Sequence, residues 1–369
     1  MPAADPVSSA RQLVLVAGAG RSGTSTFAGI LQRLGLHVPQ PEVQTDDTNP
    51  KGFGEPRWVV DFHDDLLGHA NVQVSDARPA AWERTAVFAE RPGATGRLAR
   101  WLEAELEANP TLVIKDPRLS WFLPLWTGVA ARLGATASFV TMLRPPAEVV
   151  GSKRAHYNTG LQDAQGAAAW VNMLLGTERA TRGSLRAFVR YHDLLDDWRP
   201  VVEGVHQTLG LPALSADDPR LAEIDGFVDP GLRRVRLDWA DLDLPDRLAT
   251  LTREAWEELD RLADPTARQA SGTELEARLD AVRERYAAYY LEAETVSRST
   301  AIAARHAGQP PRSGPAAAPD SREVTPAPGP GVRARRLALA SVRRLPAPLR
   351  RLVPAGLRAR MAARLGRAG

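Results

Sequence analysis

Residues 13–27, LVLVAGAGRSGTSTF, decide how the rest of the chain is read. Leu13 to Ala17 are consecutive apolar residues, the pattern of a short buried strand. Gly18, Gly20 and Gly23 break that pattern. Thr24, Ser25 and Thr26 then open a helix that carries Phe27, Ile30, Leu31 and Leu34 on one face. A strand passing through a glycine-rich turn into a helix leaves backbone N–H groups free at the positive end of the helix dipole. Such an end is an anion site, usually for phosphate.

Three readings fit this loop. Gly18-Ala19-Gly20-Arg21-Ser22-Gly23 has the G-x-G-x-x-G spacing of dinucleotide-binding folds, with Glu42 placed to reach a ribose. Gly18 and Gly23 also have the spacing of a nucleotide-triphosphatase P-loop, but Thr24 stands where that motif needs lysine. The third reading takes Arg21-Ser22-Gly23-Thr24-Ser25-Thr26 as one unit: a cation, a glycine and a run of hydroxyls. In that form the stretch resembles the 5′-phosphosulfate loop of sulfotransferases.

Composition narrows the class. The chain has 369 residues, 44% of them apolar, which is enough for one large domain with appendages. It has no cysteine, which excludes disulfides and cysteine metal sites. No apolar run is long enough to span a bilayer, and Met1-Pro2-Ala3-Ala4-Asp5 is not a signal-peptide start, so a cytoplasmic body is expected. The net charge of +3 hides an asymmetry: residues 333–369 hold 11 arginines and no acid, so the remainder is acidic. Of 47 basic residues only Lys51, Lys115 and Lys153 are lysines.

Along the chain, short strands alternate with helices. Strands are expected at Leu36–Val38, Thr111–Ile114, Ala137–Leu143 and Arg186–Tyr191. Helices are expected at Arg57–Leu67, Arg97–Ala108, Trp121–Leu133 and Trp198–Leu209. The alternation predicts a parallel sheet with helices on both faces, and ligands collecting beyond the carboxyl ends of its strands. Lys115 and Arg144 should share that edge with the loop at Gly18. Past Pro212 the pattern turns helical. Leu275, Leu279, Val282, Tyr286, Tyr289, Ala293 and Val296 form a heptad-like stripe, read as a helix packed on its own domain, with a homodimer seam through 273–303 as the alternative. Residues 307–332 are rich in Pro, Ala and Gly and read as an unstructured linker.

A second signal supports the third reading of the loop. In Phe139–Tyr157, FVTMLRPPAEVVGSKRAHY, a strand delivers Arg144, a proline-started helix follows, and Ser152 lies eight residues on. This resembles the 3′-phosphate-binding element of sulfotransferases that use 3′-phosphoadenosine 5′-phosphosulfate (PAPS). An arginine fork takes phosphate oxygens bidentately and a serine adds a donor. Val113-Ile114-Lys115-Asp116-Pro117-Arg118 looks like the lysine-bearing strand end of the same enzymes. Arg190-Tyr191-His192-Asp193-Leu194-Leu195 is similar to their strand exit. The resemblance covers about residues 11–235 and implies a P-loop NTPase-like three-layer α/β fold with a central parallel sheet. A helical extension (236–306), the linker and a disordered basic tail (333–369) would follow.

The resemblance also implies the cofactor-binding set: Gly20, Arg21, Ser22, Gly23, Thr24, Ser25, Thr26, Arg144 and Ser152 hold PAPS. Arg21 lies at the leaving-group oxygen, with Lys115 a second cation near the sulfuryl group, and no metal is required. Two carboxylates compete as the base. Cytosolic sulfotransferases carry Lys-x-His at the strand end, but Asp116 and Pro117 follow Lys115, so that histidine is missing. Phe53-Gly54-Glu55 matches the Phe-x-Glu context of the glycosaminoglycan-type enzymes and makes Glu55 the first candidate, with Lys51 and Arg57 placed to hold it or an anionic acceptor. A plain helix-capping role for Glu55 competes with that. Asp116 is the second candidate base. His63 and His156 are minor candidates near the site. Thr26 stands where the family has its adenine-stacking aromatic, and Phe27 beside it would point elsewhere.

The reading is therefore a sulfotransferase acting on a hydroxyl or amine of a carbohydrate or glycolipid-like acceptor. The acceptor pocket would be built from Pro39–Gly54, His69–Thr95 and Thr159–Gln165. The rivals are an NAD(P)-dependent oxidoreductase and a non-catalytic nucleotide-binding scaffold. The tail carries Leu345, Leu349, Leu352, Val353, Leu357, Met361 and Leu365 among its arginines, a pattern suited to the anionic inner face of a membrane. No aromatic residue occurs after Tyr290, which argues against single-stranded nucleic acid.

Overall fold

The computed structural model of the protein describes residues 11–307, apart from 47, 48, 50, 158–161, 230 and 232–234. The linker from 308 and the basic tail 333–369 lie outside the described residues, as do the His156 and Tyr157 side chains. Four parallel strands form the sheet: β1 (Gln12–Gly18), β2 (Thr111–Lys115), β3 (Thr136–Leu143) and β4 (Arg186–Arg190), in the order β2-β1-β3-β4. Each alternates its side chains between two cores. Leu13, Leu15, Leu112, Ile114 and Phe139 face one, and Val14, Val16, Val113, Val140 and Met142 face the other. That two-sided burial explains why the strands read as unbroken apolar runs.

The expected strand at Leu36–Val38 contracts to a single parallel bridge between His37 and Leu112, in which Val113 N donates to His37 O at 2.8 Å. Its position still matters. In dinucleotide-binding orders the second strand lies directly beside the first. Here β2 is inserted between β1 and the His37 segment, so the order is that of a P-loop-like sheet. The chain leaves β1 toward β2 and later crosses to β3 on the other side, which opens a crevice at the carboxyl end of β1.

One face is covered by α1 (Thr24–Arg33), α9 (Trp198–Leu209) and α10 (Arg220–Phe227), which bury Phe27, Ile30, Leu31, Val202, Val205 and Ile224. The other carries α2 (Arg57–Ala70), α3 (Ala81–Ala89), α4 (Pro92–Ala108), α5 (Leu123–Arg132) and α7 (Asp163–Ala180). α7 is buried from Gly166 to Glu178, so its sequence shows no amphipathic stripe to read. α6 (Pro146–Tyr157) and α8 (Tyr191–Asp196) come directly after β3 and β4.

The C-terminal helices pack on the sheet's own core. Leu248, Leu251, Ala255 and Leu259 of α11 (Asp246–Arg261) share one core with Leu13 and Trp126, as do Leu275, Leu279, Val282 and Tyr286 of α12 (Pro265–Ala307). Residues 236–301 lie within the compact unit Met1–Ala301. The first half of the heptad-like stripe is spent on this core, while Leu291, Val296 and Ile302 are exposed. No helix among the described residues is long and apolar enough to cross a membrane.

Candidate active site

The loop between β1 and α1 has the shape of an anion cradle. Gly23, the residue before α1, has φ 92°, and a Cβ there would sit 2.1 Å from the Tyr191 ring, so no side chain fits. α1 has no side-chain cap and no acid in its first turn, which leaves the N–H groups of Thr24, Ser25 and Thr26 and their positive dipole end for a ligand. Ser22 is buried, and its Oγ has no hydrogen-bond partner among the described residues. Gly20 has nothing within 4 Å of where a Cβ would stand, so the loop is open there. Arg21 takes φ 75°, a left-handed conformation costing a non-glycine residue about 1–3 kcal/mol. Two long-range bonds offset that cost. Arg21 Nε donates to Ser152 Oγ at 3.2 Å, and Arg21 O accepts from Arg144 Nη1 at 3.0 Å.

Those bonds define the arginine side of the site. Arg144 arrives at the end of β3 and is 5% exposed. Its Nε donates to Glu148 Oε2 at 2.9 Å, one helical turn on, and its guanidinium lies 4.8 Å from the centre of the Tyr191 ring. Nη2 reaches Val235 O at 3.4 Å. Glu148 Oε2 is also 3.0 Å from His192 Nε2. The arginine is thus locked in orientation, and one N–H on each of Nη1 and Nη2 keeps no partner among the described residues. Glu148 was not singled out in the sequence, and Tyr191 and His192 entered only as part of the strand exit at Arg190–Leu195. The i,i+4 spacing of Arg144 and Glu148 is a legible signal for the first; the other two meet Arg144 only through the fold.

The lysine side is built differently. Lys115, at the end of β2, is 2% exposed, and its Nζ donates to Ser25 Oγ at 3.2 Å and to Glu55 Oε1 at 2.5 Å. Glu55 is held from its backbone: Val43 N donates to Glu55 O at 2.8 Å, Arg57 N to Pro41 O at 2.8 Å, and Glu42 bridges to Pro56. Its carboxylate does not cap α2, whose N-cap position is Pro56 with no side-chain bond. Glu55 Oε2 has no partner among the described residues. Lys51 and Arg57 do not hold Glu55 as expected: Lys51 Nζ donates to Phe227 O at 2.7 Å, and Arg57 lies 3.9 Å from Asp61.

Asp116 sits in a filled hydrogen-bond network. It is 1% exposed, and both of its oxygens are engaged. Oδ1 accepts from Arg118 N at 3.2 Å and Arg118 Nη1 at 2.8 Å, and Oδ2 lies 2.6 Å from His63 Nδ1. Trp126 Nε1 donates to His63 Nε2 at 2.9 Å, and an indole N–H can only donate, so His63 carries its proton on Nδ1 and gives that bond to Asp116. Burial pushes the Asp116 carboxyl up, but the His63 bond and the Arg118 charge outweigh it and hold it below the ordinary 3.8. Arg118 also reaches Asp64 Oδ1 at 2.5 Å. His63 is fully buried in this network. Of the two candidate bases, Glu55 alone keeps an oxygen without a partner among the described residues.

Other expected contributors fall away from the loop. Phe27 is fully buried in the core beneath α1 and is no adenine platform. Glu42, the ribose candidate of the dinucleotide reading, accepts from Gln32 and Gln40, each at 2.8 Å.

No protein-family model and no curated protein matches the chain. Among solved structures it is similar to the sulfotransferase domain from the Synechococcus PCC 7002 olefin synthase, with 19% identity and a TM-score of 0.40 over 70% of this chain and 98% of that one. It is also similar to the sulfotransferase domain from the curacin biosynthetic pathway, with 14% identity and a TM-score of 0.37 over 68% of this chain and 98% of that one.

Proposed function

We propose that the protein is a PAPS-dependent sulfotransferase, moving a sulfuryl group to a hydroxyl or amine of a carbohydrate or glycolipid-like acceptor. One observation carries this reading. Arg144 and Ser152 from the β3 side, and Lys115 with Glu55 from the β2 side, all bond to the same six-residue loop or to a residue that does. A dinucleotide site gives these residues no task, and a kinase lacks its lysine at Thr24. The uncapped α1 terminus and the unpartnered Ser22 hydroxyl are what an incoming oxyanion needs.

PAPS would supply an activated sulfuryl group on a phosphate leaving group. Gly20 to Thr26 would cradle its 5′ end, and the spare N–H groups of Arg144 with Ser152 Oγ would grip the 3′-phosphate. Arg21 and Lys115 set fixed positive charge where the leaving oxygen gains negative charge. Glu55 Oε2 receives the acceptor proton, while Lys115 holds Oε1 and so aims the carboxylate. Asp116 positions Arg118 and His63 beneath this set and takes no proton. The Phe53-Gly54-Glu55 context favours a carbohydrate acceptor, and the arginine-rich tail would tether the enzyme to an anionic membrane where a lipid-linked one resides.

Isothermal titration with PAP (the desulfated product of PAPS), AMP, NAD and NADP tests the reading. PAP should bind tightest and AMP, lacking the 3′-phosphate, about tenfold or more weaker. Equal affinity for PAP and AMP would overturn it, and a preference for NAD would restore the rival.

A further inference from the structure

The third lysine, Lys153, has no part in the chemistry above, yet its setting is as ordered as that of Lys115. It comes directly after Ser152 on α6 and donates from Nζ to Ser75 Oγ at 2.8 Å. Both residues are partly exposed.

Ser75 lies in an irregular segment pinned from several directions. Trp121 Nε1 donates to Val74 O at 3.1 Å, Asn172 Nδ2 to Asp76 O and Arg78 O at 2.9 Å each, and Tyr286 Oη to Ala77 O at 2.6 Å. Arg78 closes it internally, with Nη2 on Asn71 O at 2.6 Å. A segment without secondary structure whose carbonyls are held by α7, α12 and the turn after β2 is a rigid wall, which is what a binding surface requires. It also gives the C-terminal helix a task, since Tyr286 of α12 braces that wall.

The chemistry of the pair is one-sided. Lys153 has two N–H groups left after Ser75, and the Ser75 hydroxyl, having accepted from the lysine, keeps its proton to donate. The carboxylates around them are committed. Asp76 accepts from Arg78 and Gln73 N, Asp163 pairs with Arg154, and Glu148 holds Arg144 and His192. With no carboxylate to compensate among the described residues, burial lowers the Lys153 pKa to about 8. The location fits a second substrate. Lys153 adjoins the residue that meets Arg21, while the Ser75 wall rests on Trp121, just beyond β2. The pair therefore links α6, which follows β3, to a segment held by the turn after β2.

We propose that Lys153 and Ser75 form an oxyanion subsite for the acceptor, one that takes a carboxylate or phosphate carried by the molecule to be sulfated. The proposal rests on the sulfotransferase reading for the word acceptor, and it makes that acceptor acidic. Arginine serves nearly every other cationic position in the chain, and the compact ammonium of Lys153 can donate to a carboxylate or a phosphate alike.

Competitive acylation of the full chain tests this, because three lysines leave few amines to resolve by mass spectrometry. The probes are glucuronate for a carboxylate, glucose 6-phosphate for a phosphate and glucose as the neutral control, each with and without saturating PAP. We expect one or both anionic sugars, and not glucose, to slow acylation of Lys153 and to raise its midpoint from about 8 by about one pKa unit, leaving Lys51 unchanged. Protection by neither anion, equal protection by glucose, or full protection by PAP alone would overturn the proposal, the last by giving Lys153 to the donor. Failure of PAP to bind would count against the sulfotransferase reading, and the arms without PAP would still report on this subsite. Lys153→Met separates a ligand group from a bolt. It should abolish stabilisation by the anionic sugar while leaving Tm equal or higher, because it removes a desolvated charge. A clear fall in Tm with sugar stabilisation intact would make Lys153 structural.

Discussion

The two sides of the loop use unlike cations for unlike work. On the β3 side Arg144 is clamped by Glu148, by a backbone carbonyl of the loop and by the face of Tyr191. A planar fork held at this many points presents its remaining N–H groups in one fixed direction, which is how a phosphate is recognised. On the β2 side Lys115 bonds to one carboxylate oxygen and one hydroxyl. A point charge in that position orients Glu55 without using up its second oxygen. On the proposed reading, binding and proton transfer are divided between the strands on either side of β1. Variants should therefore fail in different measurements.

The largest expected effect breaks the lysine side alone. Glu55→Gln keeps size and hydrogen bonding but loses the proton acceptor, so turnover should fall by about 10²–10⁴-fold with PAP affinity nearly unchanged. If PAP affinity fell in parallel with turnover, the division between the sides would collapse.

Arg144→Lys is the matching break on the other side. It retains charge and loses the fork, so the preference for PAP over AMP should shrink by about 1.5–3 kcal/mol. Titration calorimetry on both ligands reads this directly. An unaltered preference would remove Arg144 from the 3′-phosphate.

Asp116→Asn sharpens the comparison by separating support from chemistry. The folded protein should lose about 1.5–3 kcal/mol, since His63 and Arg118 would face a neutral amide in a buried site. The Asp116 carboxyl is held below its unfolded value of 3.8, so its contribution is fully present above that pH and disappears as pH falls through the lower folded value. Thermal melts of wild type and variant should differ at neutral pH and converge in acid. Turnover per folded molecule should drop far less than in Glu55→Gln; an equal drop would return Asp116 to the role of base.

His192→Phe should have the smallest effect. The histidine is partly exposed and touches Arg144 only through Glu148, so PAP affinity should weaken by about 1 kcal/mol or less. A loss as large as that from Arg144→Lys would make His192 a direct ligand of the nucleotide.

Much of this site could be read from residue order because its parts lie at strand ends. The apolar runs at Leu13, Thr111 and Ala137 announced β1, β2 and β3, and the carboxyl ends of parallel strands all open onto one edge of their sheet. That logic brought the loop, Lys115 and Arg144 together before any coordinate did, and the resemblance added Ser152. It did not reach α7, whose apolar residues run all round the helix and leave no period to detect. Nor did it show that α11 and α12 complete the first core. The heptad-like stripe says that a face is buried and cannot say against which partner.

The sequence by itself determined the glycine-rich loop and the strand-end cations, because local periodicity and glycine spacing act within about a dozen residues, while the two candidate bases came from the resemblance. Only the tertiary structure distinguished the surroundings of Glu55 from those of Asp116. Each is a carboxylate within two positions of a cation in the sequence, and they differ in which oxygens remain unpaired once His63, Arg118 and Lys115 have arrived from 53, 2 and 60 positions away. It likewise joined Lys153 to Ser75 across 78 positions. Hydrogen-bond capacity is used up by neighbours in space, and no residue's own position along the chain records which neighbours those will be.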